Sequence, residues 1–249
     1  MTPTPSDGDV AAGRRLQPDR RDESGRPSGE TEEGALAAVR REARESGGDG
    51  SAGYYLYGVN RAGAWRAGVG VKEREELVRI RYRDLEALVR AVPFALPQVD
   101  RELMQEHQRI VWGASKRETV LPAPCGVVFK GRRAIIRFLQ DQYIPLEEGI
   151  SLVEGHWEIR LHLKPTVPEA RTEAAEAALH VYGELRRYAR AAFPFAHPDE
   201  HVLSAAFLVN RGSWLQFMDH AEELGHRHGD LVFDVTGPWP PYDFVRMAR

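Results

Sequence analysis

His156-Trp157-Glu158-Ile159-Arg160-Leu161-His162-Leu163-Lys164 alternates without a break. Trp157, Ile159, Leu161 and Leu163 fall on one side, and His156, Glu158, Arg160, His162 and Lys164 on the other. A period of two over this length is a strand. With one side apolar and the other wet, it suits an antiparallel or mixed sheet better than a buried parallel one. The text after it sets the class. Pro168 opens an alanine-rich helix whose stripe is Ala174, Ala178, Val181, Leu185, Tyr188 and Ala192. Residues 202–209 are nearly all apolar, as in a central strand. Ser213 and Gln216 stand at capping-box spacing before a helical face of Trp214, Phe217, Met218, Ala221 and Leu224. Residues 231–235 form a last strand. The order β-α-β-α-β is that of helices layered on a small sheet, an α+β class.

Upstream the pattern is also mixed. Tyr54-Tyr55-Leu56-Tyr57-Gly58-Val59 reads as a buried strand. Residues 77–83 alternate, with Val78, Ile80 and Tyr82 facing one way and Arg79, Arg81 and Arg83 the other. Leu85, Leu88 and Val89 have helical spacing, so a helix is expected from Asp84 to just before Pro93. Asp100 is a good N-cap for a longer helix with a stripe of Leu103, His107, Ile110, Val111 and Ala114. Pro122 and Pro124 make 120–129 extended, and a helix is expected over 132–140. Residues 1–50 contain no Phe, Trp, Tyr or Ile and are dense in Gly, Pro, Ser and charge, with a short helix conceivable over 31–46. Such text cannot bury enough apolar surface to offset the entropy of ordering. The expected organisation is a disordered charged tail over 1–50, an α+β domain over 51–150, and a second over 151–249 ending in a Pro/aromatic tail.

The charge balance narrows the function classes. The 249 residues carry 34 Lys+Arg and 37 Asp+Glu. Residues 1–50 hold 8 basic and 11 acidic residues, which leaves 26 of each sign in the body. A neutral body lacks the basic excess that grips nucleic acid or anionic lipid. No run is apolar and long enough for a membrane span, and no apolar segment follows a basic start as in a secretory signal. The single cysteine excludes an internal disulfide. A cytoplasmic protein with no nucleic-acid and no membrane partner is expected.

Candidate chemistry is sparse. Cys125 sits among apolar neighbours, where a thiol is usually a small hydrophobe, and His107 lies on an apolar helix stripe. Ser204 lacks a Gly-x-Ser-x-Gly elbow, and Gly68-Val69-Gly70 lacks the remainder of a dinucleotide loop. His220, Glu222, Glu223, His226 and His228 miss the helical His pair of a zinc site, and Pro198 interrupts His197 and His201. No cofactor and no metal are expected, and catalytic residues are none. The row Arg79, Arg81, Arg83 is a basic surface that Glu73, Glu75 and Glu76 could neutralise, and it suits a protein contact better than RNA. In Gly237-Pro238-Trp239-Pro240-Pro241-Tyr242 the prolines enforce an extended chain. Trp239 and Tyr242 then either present aromatic faces to a partner or fold back to seal a core. The protein-interaction candidates are Trp239, Pro240, Pro241, Tyr242, Arg79, Arg81 and Arg83.

Three segments, taken in order, resemble the gas vesicle protein F and L family (GvpF/GvpL). They are Glu106-His107-Gln108-Arg109-Ile110 leading into Thr119-Val120-Leu121-Pro122-Ala123-Pro124-Cys125-Gly126-Val127-Val128-Phe129, then Leu203-Ser204-Ala205-Ala206-Phe207-Leu208-Val209, then Thr236-Gly237-Pro238-Trp239-Pro240-Pro241-Tyr242-Asp243-Phe244-Val245. Tyr55-Leu56-Tyr57-Gly58-Val59 is similar too, so the likeness spans about 53–246. It departs at Cys125, where the family more often has a large apolar residue, and in a compact stretch between Lys164 and Val202. The resemblance implies two α+β domains, the C-terminal one ferredoxin-like. It also implies a non-catalytic accessory role in gas vesicle formation. The partners would be the small hydrophobic shell protein and other gas vesicle accessory proteins, and the place the cytoplasm and the vesicle. The alternative from another class is a small-molecule enzyme with a site in the inter-domain cleft.

Overall fold

In the computed structural model, residues 52–63, 77–196, 198 and 200–245 are described. The expectations for the 1–50 tail, the 31–46 helix, Gly68-Val69-Gly70, Glu73, Glu75, Glu76 and His197 lie outside them. The described chain is mixed α and antiparallel β, with one sheet in each half.

The first half is built around β1 (Ala52–Arg61), whose aromatic run is buried on both faces. It pairs antiparallel with β3 (Leu85–Pro93), β4 (Leu121–Pro122) and β5 (Val128–Lys130). β2 (Leu77–Tyr82) adds to the outer edge of β3. Gly58 is required where β4 closes on β1, because a Cβ there would lie 2.7 Å from a Val120 methyl and 2.8 Å from the Leu121 carbonyl oxygen.

The helix expected after Asp84 is instead β3. Leu85, Ala87 and Val89 enter one apolar cluster, and Leu88 enters another on the opposite face. A strand covered on both sides is apolar almost throughout, and such a run cannot be told from helical text by periodicity. Arg83 leaves the strand for the two-residue turn, taking φ +53°. A turn made of Arg-Asp carries none of the usual Gly or Asn signal for a hairpin.

Helix α1 (Arg101–Ser115) covers one face of this sheet. It is capped as expected, with the Asp100 carboxylate accepting from the Leu103 N–H at 2.9 Å. Helices α2 (Gly131–Asp141) and α3 (Tyr143–Val153) cover the other face. The sequence reading has no counterpart for α3. Its text, Tyr-Ile-Pro-Leu-Glu-Glu-Gly-Ile-Ser-Leu-Val, holds a proline and a glycine that lower helix propensity. Pro145 is tolerated because it lies in the first turn, and Gly149 lets the Leu121 side chain approach to 3.1 Å of where its Cβ would be. Gly155, at φ +74°, then turns the chain out of the helix into the first strand of the second half.

The second half contains β6 (His156–Pro165), helix α4 (Arg171–Arg186), β7 (Ala191–Pro194), β8 (Leu203–Asn210), helix α5 (Trp214–Arg227) and β9 (Leu231–Trp239). The strand order β7-β8-β6-β9, antiparallel throughout with two helices on one face, is the ferredoxin-like arrangement. The expected stripes of both helices are the buried ones, except that Tyr188 and Ala192 fall beyond the end of α4. Ala192 belongs to β7, a strand too short to show a period in the sequence. Ser213 is the N-cap of α5 but makes no side-chain capping bond, so the capping box does not form.

The wet face expected for β6 is also corrected, because Glu158 is fully buried. The reason is the neighbour on that side. The apolar cluster beneath α2 and α3 runs on into Ala206, Leu208 and Phe244 of the second half. The back of the second sheet is therefore partly an interior surface.

Candidate interaction surface

Beyond β9 the chain forms a strap, residues 240–245, that returns across the junction of the two halves. Pro240 and Pro241 are buried, Tyr242 is half-buried and Phe244 is buried. Tyr242 packs on the cluster under α1, with its ring 6.3 Å from that of His107, and Phe244 meets Phe193 edge-on at 5.2 Å. The strap is also tied electrostatically. The Arg160 Nε lies 2.8 Å from a Glu158 oxygen and 2.8 Å from an Asp243 oxygen, while the Asp243 N–H donates to the other Glu158 oxygen at 2.7 Å. Burial, reinforced by the Asp243 charge and opposed by Arg160, pushes the Glu158 carboxyl up to about 8.

Trp239, just before the strap, stays 38% exposed. It stands at the rim of an aromatic group drawn from both halves. Trp112 of α1 lies 6.5 Å from it and 5.2 Å from Trp157 of β6. Lys116 sits over Trp112 at 5.0 Å and Arg211 over Trp157 at 4.0 Å. The Arg211 side chain also donates to the His156 and Glu118 carbonyl oxygens at 3.3 Å. Cations over indole faces at these distances attract the ring quadrupole. Sequence reading found Trp239 and Tyr242 but not Trp112, Lys116 or Arg211. They are distant in the chain and share no period.

The arginine row sits elsewhere, on the outer strand of the first sheet. Arg79 and Arg81 are exposed on β2. Arg83 departs from the row at the turn, where its guanidinium lies 5.4 Å from the Tyr82 ring and 5.2 Å from that of Tyr143.

Cys125 and His107 do converge, through Tyr55. The Tyr55 hydroxyl lies 3.3 Å from the Cys125 Sγ and 2.8 Å from the His107 Nδ1, and it accepts from the Gly126 N–H at 3.1 Å. His107 Nε2 faces the Ala123 carbonyl at 2.9 Å and must donate to it. These contacts tie the loop around Pro124 to β1 and α1. Burial pushes the His107 imidazole down to about 4, from an ordinary 6.5. The unfolded chain therefore takes up this proton before the folded one does. Stability from this group is complete above about pH 6.5 and is lost as pH falls towards 4, by about 3 kcal/mol. Urea unfolding at pH 7 and pH 4.5 should show the loss, and His107→Gln should flatten it.

Ser204, His162 and Asp234 lie side by side across β8, β6 and β9. The Ser204 Oγ is 2.7 Å from the His162 Nδ1, but Ser204 is only 1% exposed, so its hydroxyl is closed to a substrate. His220, His226 and His228 pair separately with Glu223, Glu222 and Asp230. Among the described residues no three His, Cys, Asp or Glu side chains are grouped to hold a metal ion, and no helix is long and apolar enough to cross a membrane.

A family model described as "Gas vesicle synthesis protein GvpL/GvpF" matches residues 53–178 and 167–246. Gas vesicle protein F1 of Halobacterium salinarum is 25% identical over 183 residues, covering 71% of this chain and 84% of that protein. Gas vesicle protein F of Haloferax mediterranei is 25% identical over 197 residues, covering 71% and 84% respectively. The crystal structure of GvpF from Anabaena sp. PCC7120 superposes with a TM-score of 0.68 at 17% identity, covering 80% of this chain and 98% of that one. GvpF from Microcystis aeruginosa does so at 0.64 and 15%, covering 78% and 98%. At these identities the two structures establish the fold.

Proposed function

The chain belongs to the GvpL/GvpF family of gas vesicle synthesis proteins and so takes part in gas vesicle formation, and we propose that it does so by binding the small hydrophobic shell protein. In this reading it is a non-catalytic assembly factor that works in the cytoplasm and at the vesicle, with other gas vesicle accessory proteins as further partners. The observation that carries the reading is the family match across nearly the whole described body, residues 53–246. An unassembled shell subunit exposes apolar surface and strand edges that aggregate. A cap that covers them until insertion meets that hazard.

The rim around Trp239 suits such a contact. Indole rings held by packing lose little entropy on binding, and Trp and Arg dominate interface energetics. Arg79 and Arg81 on β2, with Arg83 at the turn that follows, are a second candidate contact apart from the rim, and Pro240, Pro241 and Tyr242 support the rim from inside. Co-expression of the full chain with its shell protein, followed by pull-down, tests the reading. Capture of the shell protein is expected, and Trp239→Ala should weaken it about 30-fold, the equivalent of about 2 kcal/mol. No capture by the folded wild-type chain would overturn the role. Undiminished capture by a folded Trp239→Ala would remove the rim as its site.

A further inference from the structure

Residues 119–140 contain Lys130, Arg132, Arg133 and Arg137 and no acidic residue, the first acid after them being Asp141 at the C-terminal end of α2. All three arginines lie on the exposed side of α2, opposite the buried Ile135, Phe138 and Leu139. None of the three forms an ion pair or hydrogen bond with a described residue. Arg61, Arg90, Arg160 and Arg211, by contrast, are all bonded. The first turn of α2 has no acidic side chain and no side-chain cap, so two of these charges also stand at the unfavourable end of the helix dipole. The three arginines are an exposed basic row without a partner among the described residues, and carboxylates would stabilise it.

A complementary block exists in the same chain. Residues 22–33 hold Asp22, Glu23, Glu30, Glu32 and Glu33 against Arg26 alone, a net of −4. The point of attachment is adjacent to the basic face, because Gly53 at the start of β1 is the cross-strand partner of Lys130, the N-cap of α2. The 19 residues that separate Glu33 from Ala52 would span, as a random coil, a root-mean-square distance of about 24 Å. Helix α2 is about 16 Å long. Tether and target therefore match, and tethering places the carboxylates at high effective concentration over the arginines.

We propose that the acidic block at residues 22–33 docks on the arginine face of α2 within the same molecule. The contact is electrostatic, exposed and reversible, so it weakens with salt. It holds whether or not the chain binds a shell protein.

Arg133→Lys with Arg137→Lys, in the full chain, keeps the charge and supplies amines for zero-length carbodiimide coupling. Mass spectrometry should find links from positions 133 or 137 to Glu30, Glu32 or Glu33. Their yield should be independent of protein concentration and fall roughly fivefold between about 0.05 M and about 0.5 M NaCl. In the otherwise native chain, Glu30→Gln, Glu32→Gln and Glu33→Gln together should shift the backbone amide resonances of residues 131–141. Links that scale with concentration would assign the face to a second copy and overturn the proposal. Unmoved α2 resonances, or links that avoid residues 22–33, would overturn it as well.

Discussion

Arg160→Ala should lower stability by about 3 kcal/mol and free the C-terminal strap. The guanidinium is the counter-charge for two carboxylates, one of them fully buried: Glu158 has 0% and Asp243 13% side-chain exposure. Removing one partner from a buried ion pair costs about 3–5 kcal/mol, because the remaining charge is left uncompensated. The lower end applies here, since Glu158 is already pushed up to about 8 and can take a proton instead. For a body of this size, the loss corresponds to about 6–12 °C in Tm.

The sign of the pH effect follows from the same group. A carboxyl raised in the fold is protonated there while the unfolded chain has already lost its proton. Its contribution is present below about 4.5 and declines as pH rises through about 8. Adding Asp243→Asn to Arg160→Ala should recover part of the loss by removing the Asp243 charge that the guanidinium had balanced. Thermal unfolding of the two variants, with tryptophan fluorescence reporting on Trp239 beside the strap, checks both points. A Tm within 2 °C of wild type, with unchanged fluorescence, would show that the ionic tie contributes nothing to holding the strap.

Phe207→Ala should cost about 3–5 kcal/mol. Phe207 is fully buried, with rings of Phe217 at 5.3 Å and Tyr182 at 5.7 Å around it. Its position makes the loss global. Phe207 points into the cluster under α4 and α5, whereas its neighbours Ala206 and Leu208 point into the cluster shared with α2 and α3. Strand β8 is therefore a wall common to both cores, and a cavity on one side loosens the other. We expect a single cooperative transition in the variant, moved to lower temperature when followed by far- and near-ultraviolet circular dichroism alike. Two separated transitions would mean that 51–150 and 151–249 unfold as independent domains. Val232→Ala, on a half-exposed position of β9, should change stability by less than about 0.5 kcal/mol and serves as the control.

Local text decided much of this molecule. The alternation from His156 to Lys164 specifies β6, the Asp100 cap specifies where α1 begins, and the apolar stripes of α4 and α5 specify which faces are buried. Each depends on a period or a cap that a few neighbouring residues express by themselves. The family likeness was legible for a related reason: its motifs are contiguous strings that need no folding to be seen.

Tertiary structure decided the rest. Residues 85–93 became a strand because both faces are covered, which erases the period that would have marked it. Residues 143–153 became a helix against their own proline and glycine because α3 must pack on Leu121. Glu158, wet by its period, is buried and Arg160 half-buried because the strap and the apolar cluster it joins lie against that face. The Trp112, Trp157 and Trp239 group and the Cys125, Tyr55 and His107 chain assemble from residues far apart in sequence. Pattern in a sequence records only the distance along the chain, whereas burial, ion pairing and ring contact depend on the distance across the fold.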